Sequence, residues 1–151
     1  RRSSAASDVY KRQKLKKPDV KYQNKALTKQ ETILKKYGSM DNYYDAAPIN
    51  CKVAKEKSLF ITAEGLALPC CWTAGRMYKW WHEDPYVEQI WDFIPSKKKL
   101  NAKHGLKKVF DTGIFENIKN SWEEPSCSQG KLKVCSMKCG AEFDPFTEQF
   151  T

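Results

Sequence analysis

The chain has no run of apolar residues near the roughly 20 needed to cross a bilayer. It also lacks the secretory pattern of a basic start, an apolar stretch and a small-residue cleavage site. These absences predict a soluble, cytoplasmic protein with no membrane partner. Histidine is scarce. His82 and His104 stand alone, with no serine or acid at a suggestive spacing, and each reads as an exposed loop residue. Glycine-rich phosphate loops and serine nucleophile motifs are missing. So are the paired C-x2-C knuckles of a zinc ribbon. Acid–base, nucleophilic and phosphoryl chemistry therefore find no footing.

Cysteine is what the chain does have. Six are present, at 51, 70, 71, 127, 135 and 139. Cytosolic thiols are kept reduced, so this number predicts metal ligation, whereas a secreted chain would predict three disulfides. The rest of the composition suits one domain of ordinary size: 151 residues, 40% hydrophobic, with five Trp, seven Tyr and seven Phe. Net charge is +9. Part of it comes from Arg1, Arg2, Lys11 and Arg12 in the first 13 residues, and much of the remainder from local runs such as Lys97 to Lys99 and Lys107-Lys108. Such runs read as solvated faces, and nucleic acid is not the expected partner.

Residues 1–13 (RRSSAASDVYKRQ) have neither helical nor strand period and resemble translated sequencing-adapter read-through. They are expected to be an adapter-derived or disordered tail, with the natural protein cut upstream. Residues 14–48 are expected to be a linker and a helix. Thr28 with Glu31 suggests a capping box, Ile33, Leu34 and Tyr37 an apolar side, Gly38 the end, and Met40 to Pro48 a loop. Asp84 and Pro85 predict the start of a second helix running to about Ile94, with Val87, Ile90, Trp91 and Ile94 facing the core. Short helices are expected around Gly105 to Asp111 and Ile114 to Trp122. The aromatic group Trp72, Tyr78, Trp80 and Trp81, with Arg76 and Lys79 between, reads as packing over a domain or cluster rather than stacking on bases.

The stretch Cys51 to Cys71 organises the remainder. Ser58 to Ala63 predicts a strand, Glu64-Gly65 a turn, and Leu66 to Leu68 a returning strand that stops at Pro69. Cys51 before this hairpin and Cys70 after it would lie at one end. At the other end of the chain Cys135 and Cys139 form an i, i+4 pair that a helical turn places on one side. A tetrahedral zinc or a cubane takes four protein ligands, and the expected set is Cys51, Cys70, Cys135 and Cys139. Cys71 is expected to be a buried thiol beside Trp72. With Cys127 and His82 it remains an alternate ligand. The expected fold is α+β: a small hairpin followed by several short helices around one metal cluster, rich in loops.

The spacing Cys51-x13-Gly65-x4-Cys70, the run LFITAEGLALPCCW, the helix with Gln89-Ile90-Trp91, the Phe115 to Trp122 segment and Cys139-Gly140 carry a resemblance. Over about residues 49 to 140 the chain resembles the auxiliary iron-sulfur domain of radical S-adenosylmethionine proteins, of the SPASM or shorter twitch type. The resemblance implies such a domain over residues 49–142, followed by a tail at 143–151. It implies a 4Fe-4S cluster working in electron relay or substrate positioning, with all four irons ligated by protein and relay favoured. A full SPASM domain has C-x2-C-x5-C-x3-C and a further cysteine. Only C-x7-C-x3-C stands here, so one cluster is expected. The catalytic C-x3-C-x2-C is absent, with Glu142 where its third cysteine would fall. S-adenosylmethionine is thus expected only in a missing N-terminal domain acting in cis on a peptide or small-molecule substrate. The fragment alone is expected to catalyse nothing. The alternative is a zinc-stabilised basic module that contacts nucleic acid or protein.

Overall fold

In the computed structural model, which describes residues 16, 18–78, 85–94 and 96–143, the chain is mostly helical with one small antiparallel hairpin. His82, Lys79, Trp80, Trp81 and the 1–13 segment lie outside the described residues.

Helix α1 runs Lys25–Tyr37. The sequence suggested Thr28 as its cap, but Asn24 does this work: its side chain accepts from the Ala26 N–H at 2.9 Å. Thr28 therefore lies inside the helix, and its carbonyl accepts from the Thr32 hydroxyl at 3.1 Å. Gly38 ends the helix as expected, at a φ of 79° that a side chain rarely adopts. The stretch after it is not the expected loop. Ser39 Oγ accepts from the Asn42 N–H at 3.1 Å and starts α2, Met40–Ala46. What decides for helix is Tyr43, which is fully buried. It packs with Ala26, Ile33, Ala47 and Phe143 in the smaller of two apolar clusters.

Helix α3, Lys52–Glu56, intervenes between Cys51 and the hairpin. The strands are shorter than expected: β1 is Phe60–Ile61 and β2 is Ala67–Leu68, paired Phe60 to Leu68 and Ile61 to Ala67. Thr62 and Gly65 close the turn, with the Gly65 N–H donating to Thr62 O at 2.8 Å and Gly65 at a φ of 81°. Asn101 Nδ2 then donates to Glu64 O at 3.1 Å, and the Ala102 N–H to Gly65 O at 2.8 Å, which fasten the turn to a later segment. Both residues of β2 are fully buried and both of β1 are exposed, so the hairpin lies on the core by one strand.

Beyond Pro69 come α4, Cys71–Gly75, then a 3-10 turn Pro85–Gln89 leading into α5, Ile90–Phe93. Ile90 and Ile94 enter the core as expected. Trp91 does not: it is 37% exposed, with Lys97 Nζ 5.3 Å above its ring. The switch from 3-10 to α winding changes the angular step per residue, so an i, i+4 reading across it fails. Helices α6, Leu106–Phe110, and α7, Ile114–Asn120, follow, and α8, Lys133–Cys139, is the last helix among the described residues. The larger core gathers Leu68, Ile90, Leu100, Val109, Ile114, Ile118 and Leu132 among its members.

Candidate metal centre

Four sets of interactions fix where α8 sits. Gln89 donates to the carbonyls of Cys127 and Lys131 at 3.1 and 2.8 Å and accepts from the Lys133 N–H at 2.9 Å. Lys131 is only 4% exposed, and its ammonium donates to Asp45 O and Ala47 O at 2.7 and 3.0 Å, at the C-terminal end of α2. Asp45 Oδ1 accepts from the Cys127 N–H at 2.7 Å. The last link is a strand-like join between chain segments far apart in sequence. Asn50 N–H donates to Cys139 O at 2.7 Å, Ala141 N–H donates to Pro48 O at 2.9 Å, and Ile49 bridges Gly140. Gly140 is needed at this crossing. A Cβ there would come within 2.6 Å of both Ser136 O and the Tyr43 hydroxyl.

This framework brings Cys51, Cys70, Cys135 and Cys139 onto one cavity of about 30 Å3, with Trp72, Trp122 and Lys138 also in its wall. Cys51 is the residue that caps α3, and Cys70 caps α4. Thr73 holds Cys70 in place, accepting from its N–H at 3.2 Å and donating to its carbonyl at 2.8 Å. Cys135 and Cys139 project from one side of α8. Of the alternates, neither Cys71 nor Cys127 lines this cavity. Cys71 is exposed, contrary to expectation, because Cys70 takes the inward place and the helical step carries the next residue outward. Cys127 is buried beside Asp45 and does not line the cavity, and His82 lies outside the described residues.

Electrostatics differ from thiol to thiol. Cys51 and Cys139 shift each other's ionisation in opposite directions. Cys51 is pushed down, first by the Cys139 thiol and then by the Ala54 and Val53 N–H groups at the start of α3. Its partner Cys139 is pushed up by that same contact and by burial. Burial raises Cys135 to about 12, opposed by the Trp122 indole N–H, which favours its thiolate. That buried indole nitrogen lies near the Cys135 sulfur but is not in hydrogen-bond geometry with any acceptor. Lys138 Nζ stands 4.1 Å from the Trp72 ring centre at the rim, a cation beside a group of potential thiolates.

No group of three or more His, Cys, Asp or Glu among the described residues is arranged to hold a single metal ion. A cubane presents one iron per corner and takes one thiolate at each, so its ligands stand farther apart than those of one ion. Such a core is larger than the cavity. To hold one, the four thiols would have to swing outward. Sequence reasoning missed Gln89, Lys131 and Asp45 as positioning groups; a lone Lys between a glycine and a leucine carries no signal that it is buried. No protein-family model, curated protein or solved structure matches the chain.

Proposed function

We propose that the chain is an iron-sulfur module, binding one 4Fe-4S cluster through Cys51, Cys70, Cys135 and Cys139 and serving as the auxiliary electron-relay domain of a radical S-adenosylmethionine enzyme. The observation that carries this reading is the convergence of four cysteines, from three separate parts of the chain, on one cavity. The donor set fits the group: four soft thiols, an orphaned buried N–H beside Cys135, and backbone N–H groups directed at Cys51. When bound, the cluster would supply one-electron chemistry. The protein's part is to set its potential and limit its contact with water. Trp72 and Trp122 give the cavity apolar walls, and Lys138 offsets the negative charge that four thiolates bring.

Full ligation by protein leaves no iron open to substrate, which favours relay over direct anchoring. Cleavage of S-adenosylmethionine would belong to a separate catalytic domain. Anaerobic reconstitution with iron and sulfide tests the reading: a broad visible absorbance with iron and acid-labile sulfide in equal amounts supports it. Uptake of zinc alone, with salt-sensitive binding to nucleic acid, would support the zinc-stabilised module instead.

A further inference from the structure

A second cavity of about 310 Å3 adjoins the thiols and shares Cys51 and Trp122 with them. Its size is at the lower end of small-ligand sites. Depth and mouth differ in character. Ile118, 2% exposed, and Trp122 form its inner wall, while Phe115 and Phe110 line it with ring centres 5.0 Å apart, Phe110 being 51% exposed. At the mouth stand Lys57 and Lys119, both solvent-exposed and neither in an ion pair among the described residues, against the single carboxylate of Glu116. Lys57 is also the one non-glycine residue at positive φ among the described residues, at 52°. Strain of that kind collects at ligand sites.

We propose that this cavity binds a small amphipathic carboxylate: an aromatic or branched apolar group seated against Ile118 and Trp122, with its carboxylate at the Lys57 and Lys119 ammoniums. Burial of the apolar part drives entry, and the two cations select the anion over its neutral or cationic analogues. The same chemistry is offered by a free aryl acid and by the C-terminal residue of a peptide. Calling the ligand a substrate rests on the iron-sulfur reading; the site itself does not.

Titration of the full, metal-free chain with 3-phenylpropionate, followed by 15N–1H spectra, tests the site. Saturable shifts at the Val53, Ala54 and Ile118 amides are expected, with 3-phenylpropionamide binding about tenfold more weakly for loss of a charge-assisted contact. The K57E/K119E double variant should lose the preference for acid over amide while keeping the dispersion of all other amides. N-acetylglycyl-phenylalanine binding more tightly than the free acid would assign the site to a peptide C-terminus, and the reverse order to a small acid. Equal affinity for acid and amide, or an unchanged preference in K57E/K119E, would overturn the proposal, as would absence of shifts at those three amides. Iron and sulfide uptake, measured separately, decides the cluster reading independently of this result.

Discussion

The Asn50 amide donates to the Cys139 carbonyl at 2.7 Å, and this single backbone bond sets the following residue, Cys51, against the Cys139 thiol. Two segments remote in sequence thereby meet at their cysteines. Around this join the other two thiols arrive by separate routes, Cys70 from the end of the hairpin and Cys135 one helical turn earlier on α8.

Gly140 is the narrowest point of that join, so Gly140→Ala should destabilise the chain. A methyl group would press on Ser136 O and the Tyr43 hydroxyl, and overpacking of this kind costs about 1–3 kcal/mol. Tyr43→Phe removes one of the two obstacles along with the bond accepted from Phe143 N–H at 2.9 Å, so it should cost roughly 1 kcal/mol alone. The double variant should then be more stable than the sum of the two losses. Urea midpoints at constant slope measure all three, and strict additivity would contradict the account.

Trp122→Phe removes a buried N–H that has no hydrogen-bond partner in the structure. Loss of an unsatisfied donor is close to neutral for stability. In the loaded chain the same N–H would stabilise the more negative, reduced state through the Cys135 sulfur. Its loss should lower the reduction potential by roughly 40 mV, the one-electron equivalent of ~1 kcal/mol. Voltammetry of the two loaded proteins checks this. An unchanged potential would place the indole outside the cluster's influence.

Thiol titration gives two opposite pH dependences. Cys127 and Cys135 are pushed by burial to about 12, above the ordinary thiol value of 9.0. A group whose pKa is raised in the folded state holds its proton where the unfolded chain releases one. The metal-free fold should therefore be stable below about pH 9 and lose stability as pH rises from 9 toward 12. Cluster loading runs the other way. Cys135 and Cys139 must release protons to ligate, so loading should strengthen as pH rises through neutrality and fail in acid. Denaturation midpoints and iron uptake across pH measure the two slopes, and a common sign would refute the assignment of these thiols.

How much of this was legible in the sequence depends on the range over which each feature is decided. The turn at Gly65, the stop at Pro69 and the i, i+4 placement of Cys135 and Cys139 follow from local stereochemistry, and they read correctly. Strand and cap assignments were less secure, since Asn24 and Thr28 are both good caps and only the burial of Ala26 selects the earlier one. Met40–Ala46 looked like a loop because Asp41, Asn42 and Asp45 favour turns, yet the burial of Tyr43 against Phe143 outweighs that preference. Composition and periodicity place Cys71 and Trp91 in the interior, whereas the helical step at each place turns them toward solvent. The apolar cavity beside Cys51 could not be foreseen, because its walls come from α3 and α7, whose packing no local pattern specifies.

The most direct test is iron and acid-labile sulfide in the anaerobically reconstituted chain, compared with single Cys→Ser variants at all six cysteines. The account predicts about four iron and four sulfide per chain, most of it lost in the variants at Cys51, Cys70, Cys135 and Cys139 and retained in those at Cys71 and Cys127. One zinc per chain without sulfide, or equal dependence on all six thiols, would contradict it.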